Sequence, residues 1–273
     1  MLVLRPSAPN DLEALLRLAE LTGPGMTNLP PDRKVLNAKL QASAAAFARN
    51  IGPGDAPRDE AYLLLLEDTD SGQVVGCGGV FAGVGLDRPF YSYRLLSVPH
   101  TSASLGVYRS YRVLQLVNEY EGAAEVGVLF LEPDRRRDGN GRFLSRARFL
   151  FVAEFRERFP KQIMAEMRGV QDASGDAVFW QHLGRHFFPL DFGAADRLSA
   201  RGETQFIADL MPKHPVYACL LPQVAQAVLG VAHPDSRPAM ALLEREGFRF
   251  EGCVDVFDAG PTLHCPIDTV HTV

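Results

Sequence analysis

Long apolar runs are absent from this chain. No stretch of its 273 residues approaches the roughly 20 consecutive apolar positions that a membrane-crossing helix requires. The opening MLVLRPSAPNDLEALLRL turns polar at Arg5 and amphipathic from Asp11, so it has neither the apolar core nor the small-residue cleavage site of a secretion signal. Cysteine is scarce. Cys77, Cys219, Cys253 and Cys265 form no C-x-x-C pair and stand without histidines at ligand spacing, which argues against a structural zinc site; no metal is expected. Free thiols in a reducing cytoplasm are the simplest reading. Excess positive charge is missing too: the net charge of −5 argues against a general nucleic-acid binder and leaves open only a local basic patch. Fixed-period repeats and low-complexity tracts are also lacking. What is present, 47% hydrophobic and 22% charged residues, suits a soluble globular protein with one large core or two modest ones.

Along the chain, Val3 to Pro6 reads as a first strand. Asn10-Asp11 offers an N-cap for a helix carrying Leu12, Leu15, Leu16 and Leu18. The turn-rich stretch 22–32 precedes a second helix with Leu36, Leu40 and Phe47 on one face, and a loop over 51–60 follows. Two apolar runs, 61–66 and 73–80, joined through Glu67-Asp68 and Ser71-Gly72, predict a hairpin. Val126 to Leu131 is apolar throughout, as a strand buried on both faces would be. A helix with Phe143, Ala147, Leu150, Phe151 and Phe155 comes next, closed by Pro160; then a strand over 163–167 and a helix over 178–183. This alternation indicates an α/β (α+β) domain layered around a mixed sheet.

The stretch RRRDGNGRFLSRARFLFVAEF (135–155) sets glycines between a cluster of arginines and a helix. In Arg136-x-x-Gly139-x-Gly141 the glycines permit positive φ and close approach of a ligand to the backbone. The helix from Arg142 turns unpaired N–H groups and a positive dipole end toward the loop. Arg135, Arg136, Arg137 and Arg142 add charge suited to a pyrophosphate. A solvated strand-to-helix loop is the competing reading. No Gly-Lys-Ser/Thr follows, so this is not a nucleotide-binding P-loop.

The series of strand, glycine turn, amphipathic helix, strand and FWQHLGRHFF resembles the coenzyme A-binding core of the GNAT acyltransferases. There the turn cradles the coenzyme A pyrophosphate, which implies that role for Arg136, Gly139, Asn140, Gly141 and Arg142. An aromatic helix ending in Leu-Gly, here Phe179, Trp180, Leu183 and Gly184, packs beside the pantetheine arm in that family. A wider resemblance covers nearly the whole chain. The segments LTGPGMTNLPPD, PFYSYRLLSVPHTS, LFLEPDRRRDGNGRFLSRARFLF, AEMRGVQDASG, FWQHLGRHFF, FIADLMPKHPVY and LLEREGFRFEGCVDVFDAGPTL resemble the arginine N-succinyltransferase family.

That resemblance implies transfer of a succinyl group from succinyl-CoA, a co-substrate, to the α-amino nitrogen of L-arginine in arginine catabolism. It implies a GNAT-like domain over 1–200 and a C-terminal α/β extension over 201–273 packed on it. It marks Leu129 as the donor-contacting residue of the LFL strand and His233, followed by Pro234, as the proton donor. Glu125 and Glu166 match acidic family positions; each is a base, a guanidinium holder or a structural ion pair. His100, His186 and His214 are weaker candidates. Succinate's free carboxylate calls for a cation, Arg94 or Arg168. Departures fall at Asn118 to Gly122, where the family has NDxTG, and at Ala124 to Val128, where it has SELCT; the family also runs on after GPTL. The expected partners are the small-molecule substrates alone, with no nucleic acid or membrane, in a homo-oligomer or with a homologous subunit. Alternatives are another amino-acid acceptor such as ornithine, or a non-catalytic partner subunit.

Overall fold

A computed structural model describes residues 1–22, 26, 28–52, 55–200 and 202–273. Gly23, Pro24, Gly25 and Thr27 of the turn-rich stretch, and Pro53 and Gly54 of the following loop, lie outside the described residues. Ten strands are formed among the described residues: β1 (Leu2–Pro6), β2 (Ala61–Asp68), β3 (Gln73–Phe81), β4 (Ser92–Ser102), β5 (Val107–Val117), β6 (Ala124–Leu131), β7 (Gln162–Glu166), β8 (Val216–Tyr217), β9 (Arg249–Asp255) and β10 (Pro261–Pro266). The α-helices are α1 (Leu12–Leu21), α2 (Arg33–Ala48), α3 (Asn140–Glu154), α4 (Arg185–Phe187), α5 (Phe192–Ala200), α6 (Gln205–Leu210), α7 (Gln223–Ala227) and α8 (Arg237–Arg245).

The strands join in one sheet ordered β1-β2-β3-β6-β7-β10-β9-β4-β5-β8. Every neighbouring pair is antiparallel except β6 and β7. The expected hairpin is β2–β3, paired from Ala61↔Phe81 to Asp68↔Gln73 with one register shift between Leu66 and Glu67. Leucines of β2 pack under α1 and α2, where Leu15, Leu18, Leu36 and Leu40 are fully buried. Asp32 caps α2 by accepting the N–H groups of Lys34 and Val35 at 2.9 and 3.2 Å. The glycines of β3 clear the opposite face for α3: a Cβ at Gly78 would lie 2.9 Å from the Arg148 Cδ, and one at Gly76 would lie 3.3 Å from a Leu144 methyl.

Two expectations are corrected here. The extension over 201–273 does not pack onto a finished sheet; its β9 and β10 sit between β7 and β4 and so complete the sheet. The helix expected over 178–183 forms, with a π-helical turn over Trp180–Gly184 that runs into α4. Asp11 precedes α1 but does not cap it, because its carboxylate is held by Arg5 at 2.8 Å and by the Ala8 N–H at 2.7 Å.

Candidate active site

The site begins where two strands part. Between β6 and β7 the parallel pairing comprises Ala124↔Ile163 and Glu125↔Met164. Beyond these residues the strands separate because β6 bends: its ladder with β3 slips between Cys77 and Gly79, and Val128 takes φ of 51°. A β-branched residue in that region is strained, and such strain collects where a strand is re-aimed at a site. The gap opens a cavity of about 1210 Å³ lined by β6, β7, the start of α3 and the ends of β9 and α8.

Leu129, Arg136, Gly139, Asn140 and Gly141 all line this cavity. Gly139 stands at φ of 79°, the left-handed conformation that favours glycine, and begins α3. The Asn140 N–H bonds to the Arg137 carbonyl at 3.0 Å and the Phe143 N–H to the Gly139 carbonyl at 2.9 Å. The main-chain N–H groups of Gly141 and Arg142 have no acceptor among the described residues, as expected of a first helical turn. A Cβ at Gly141 would meet nothing within 4 Å, so the space in front of these donors is open. The Arg136 Nε donates to the Leu131 carbonyl at 2.9 Å, and its guanidinium lies over the Phe130 ring at 5.6 Å. Arg135 pairs instead with Asp68 at 3.1 Å. Arg142 is not among the residues that line the cavity.

Glu125 and Glu166 line the same cavity, joined by Asp255 at the end of β9, Asp258 from the β9–β10 connection and Lys39 from α2. Burial lifts the Glu125 carboxyl to about 7; Lys39 opposes the rise and Asp59 adds to it. Burial likewise raises Glu166, and Asp255, Glu125 and Asp258 raise it further. Asp255 and Asp258 shift the same way, again chiefly through burial. Four carboxyls raised together by shared burial are relieved by a cationic guest. The Glu166 Oε1 and the Arg168 Nε are buried without a hydrogen-bond partner among the described residues. Asp258 spans the wall: its two oxygens accept the N–H groups of Gly169 at 2.7 Å and Gly260 at 2.8 Å. A Cβ at Gly169 would stand 2.3 Å from the Asp258 carbonyl, so only glycine fits.

His233 borders this site. Its main-chain N–H bonds to the Arg168 carbonyl at 2.8 Å, and Pro234, Asp235 and Ser236 line the cavity although the His233 side chain does not. The ring Nδ1 accepts the Asp235 N–H at 3.2 Å, which leaves the proton of the neutral ring on Nε2. Partial burial, then the charge of Arg168, holds the imidazole below its ordinary pKa. The other histidines lie elsewhere: His100 bonds to the Tyr217 hydroxyl at 3.2 Å, and His186 and His214 are exposed away from the lining. Arg94 is engaged by Glu119 and the Glu251 carbonyl and is not in the cavity, whereas Arg168 is. Phe179, Trp180, Leu183 and Gly184, expected beside a pantetheine arm, are core. Trp180 stacks on Phe188 at 5.0 Å, and Gly184 carries no side chain because a Cβ there would lie 2.4 Å from the indole.

The family model described as arginine N-succinyltransferase beta subunit matches residues 2–272. The chain belongs to the arginine N-succinyltransferase family. Relatives named arginine N-succinyltransferase, from Enterobacter sp. (strain 638) and Escherichia coli (strain K12 / DH10B), are each 44% identical over 274 residues, covering 100% of this chain and 78% of theirs. A solved structure described as arginine/ornithine succinyltransferase subunit AI from Pseudomonas aeruginosa is 34% identical, with a TM-score of 0.88 over 100% of this chain and 78% of that one. The expected α/β fold class holds: a large mixed sheet flanked by helices, with β6 and β7 parting beyond Glu125. Where this member of the arginine N-succinyltransferase family departs at 118–122, Glu119 is turned to Arg94, outside the cavity. At the second departure, 124–128, the chain supplies Glu125 and the Val128 bend. Lys39, Arg148, Asp255 and Asp258 escaped the sequence reading, because only folding brings α2, α3 and the β9–β10 connection together.

Proposed function

We propose that this chain transfers the succinyl group of succinyl-CoA to the α-amino group of L-arginine in arginine catabolism. The observation that carries the reading is a single cavity that joins an anion-ready helix start at Gly139 to Gly141 with a half-buried acidic wall built from Glu125, Glu166, Asp255 and Asp258. The first feature suits the diphosphate of an acyl-CoA, and the second suits a cationic amine and guanidinium. The thioester carbonyl lies against the backbone at Leu129, just past the Val128 bend. Glu125, with its pKa near neutrality, takes a proton from the substrate ammonium, and the freed amine attacks the thioester carbon. A C–N bond forms, the C–S bond breaks and the second amine proton leaves to solvent. In its imidazolium form His233 donates the Nε2 proton to the departing thiolate, and the neutral ring is re-protonated from solvent. Arg168, with its unsatisfied Nε, faces the carboxylate of the amino-acid acceptor, and Glu166 with Asp255 faces its guanidinium.

No helix among the described residues is long and apolar enough to cross a membrane. All four cysteines are free, which supports a reducing cytoplasm as the place of action. Association with a second copy or a homologous subunit belongs to the proposal: the β4–β5 arm carries Leu105 and Tyr108 at 76% and 72% exposure. Thiol release from succinyl-CoA by the purified chain tests the reading. Release is expected with L-arginine and not without it, and at a higher initial rate than with ornithine. Release only after a homologous subunit is added would identify a non-catalytic partner instead.

A further inference from the structure

Helix α3 sends more than its first turn into the cavity. Gly141, Leu144 and Arg148, spaced three and four residues apart, fall on one face and all line it. Arg148 is only 2% exposed, yet no carboxylate among the described residues pairs with it. Its contacts are long and uncharged: the Ser145 carbonyl at 3.4 Å, the Ser145 hydroxyl at 3.3 Å and the Gly127 carbonyl at 3.3 Å, with the Phe149 ring 5.8 Å from the guanidinium carbon. A guanidinium has five N–H donors, so these three bonds leave two unused. Burial draws its pKa down to about 10, opposed only by the neighbouring Cys77. A buried cation with spare donors and no counterion is costly unless a ligand supplies the anion. The fold is shaped to admit it, since a Cβ at Gly78 would collide with the arginine stem.

The geometry points to Arg148 as the group that binds the free terminal carboxylate of the acyl donor and so selects a dicarboxylic acyl-CoA over a neutral one. Its placement fits that role. The carbonyl that it holds, Gly127, lies two residues before Leu129 on the donor strand, and the helix that carries it begins at the proposed diphosphate turn. Arg168 lies on the other wall, tied through its carbonyl to His233. This inference rests on the succinyl-CoA reading above. A purely structural Arg148, pinning the Val128 bend through Gly127, is the rival explanation.

The test compares binding of succinyl-CoA and of butyryl-CoA, which has the same four-carbon acyl length without the carboxylate, by calorimetry on the full chain in the absence of arginine. The wild type is expected to favour succinyl-CoA by about 10²-fold, as for a site built around a charge-assisted pair. Arg148→Met is expected to lose that preference while binding butyryl-CoA within about threefold of the wild type. Arg148→Lys, which keeps the charge and loses the planar fork, is expected to retain part of the preference and covers the case in which the methionine variant does not fold. If both donors weaken together in either folded variant, or if the ratio stays at the wild-type value, Arg148 is structural and the inference fails. Arginine-dependent turnover in the same wild-type preparation keeps that failure separate from failure of the succinyltransferase reading.

Discussion

Replacing Glu125 with glutamine keeps the side chain's size and removes its charge. Burial raises this carboxyl from an ordinary 4.5 to about 7. At about 1.4 kcal/mol per pH unit, the ionised form costs the fold up to ~3 kcal/mol. Glu125 lines an open cavity and keeps partial access to water, and glutamine deprives Lys39 of its nearby charge, so roughly 2 kcal/mol is a fairer figure. The sign follows from linkage. A carboxyl whose folded pKa lies above its unfolded value contributes stability that is fully present below pH 4.5 and lost as the pH rises through about 7. Glu125→Gln escapes that loss. At pH 8 its melting temperature should exceed that of the wild type by roughly 4 to 8 °C, and at pH 5 by only about a quarter to a third as much. The kcat/KM of the wild type should climb with pH through about 7, while that of the variant should be flat and roughly 10² to 10⁴ lower. Differential scanning fluorimetry and initial rates across pH 5 to 8 read both. An equal gain at both pH values, or a loss of stability at pH 8, would refute the reasoning.

His233→Ala should lower kcat by roughly 10² or more, while the Kd for coenzyme A measured by calorimetry stays within about threefold. An unchanged kcat would remove His233 from the chemistry. Gly141→Val should raise the KM for succinyl-CoA by about tenfold or more with little change in melting temperature, because its side chain enters open space in front of the helix start rather than packed protein. Unaltered donor affinity would count against that turn as the diphosphate site.

Much of the scaffold was legible because local chemistry and burial agree there. The β2–β3 hairpin was readable from its apolar runs and the Ser71-Gly72 turn, α3 from its glycine start and apolar stripe, and β6 from an unbroken apolar run. The β4–β5 arm was not: beyond Leu95 it is solvated on both faces, so the alternation that marks a half-buried strand disappears, and Pro99 obscures it further. The place of β9 and β10 between β7 and β4 was hidden because sheet order depends on pairings between residues about a hundred positions apart, such as Thr262↔Glu166. In the candidate site, Arg136, Gly139 and Gly141 could be named because helix-start chemistry is encoded in consecutive residues. Asp255 and Asp258 look in sequence like turn residues, and their charge gains meaning only beside Glu166. Arg148 occupies a helix position that reads as surface until the glycines of β3 are seen to receive it.

The most direct measurement is a crystal structure of the chain with coenzyme A at saturating concentration. The diphosphate is expected on the N–H groups of Gly141 and Arg142 beside Arg136, with the pantetheine arm running between β6 and β7 past Leu129. A diphosphate bound elsewhere, or a cleft that stays empty while coenzyme A is in excess, would contradict the assignment of this cavity as the acyl-donor site.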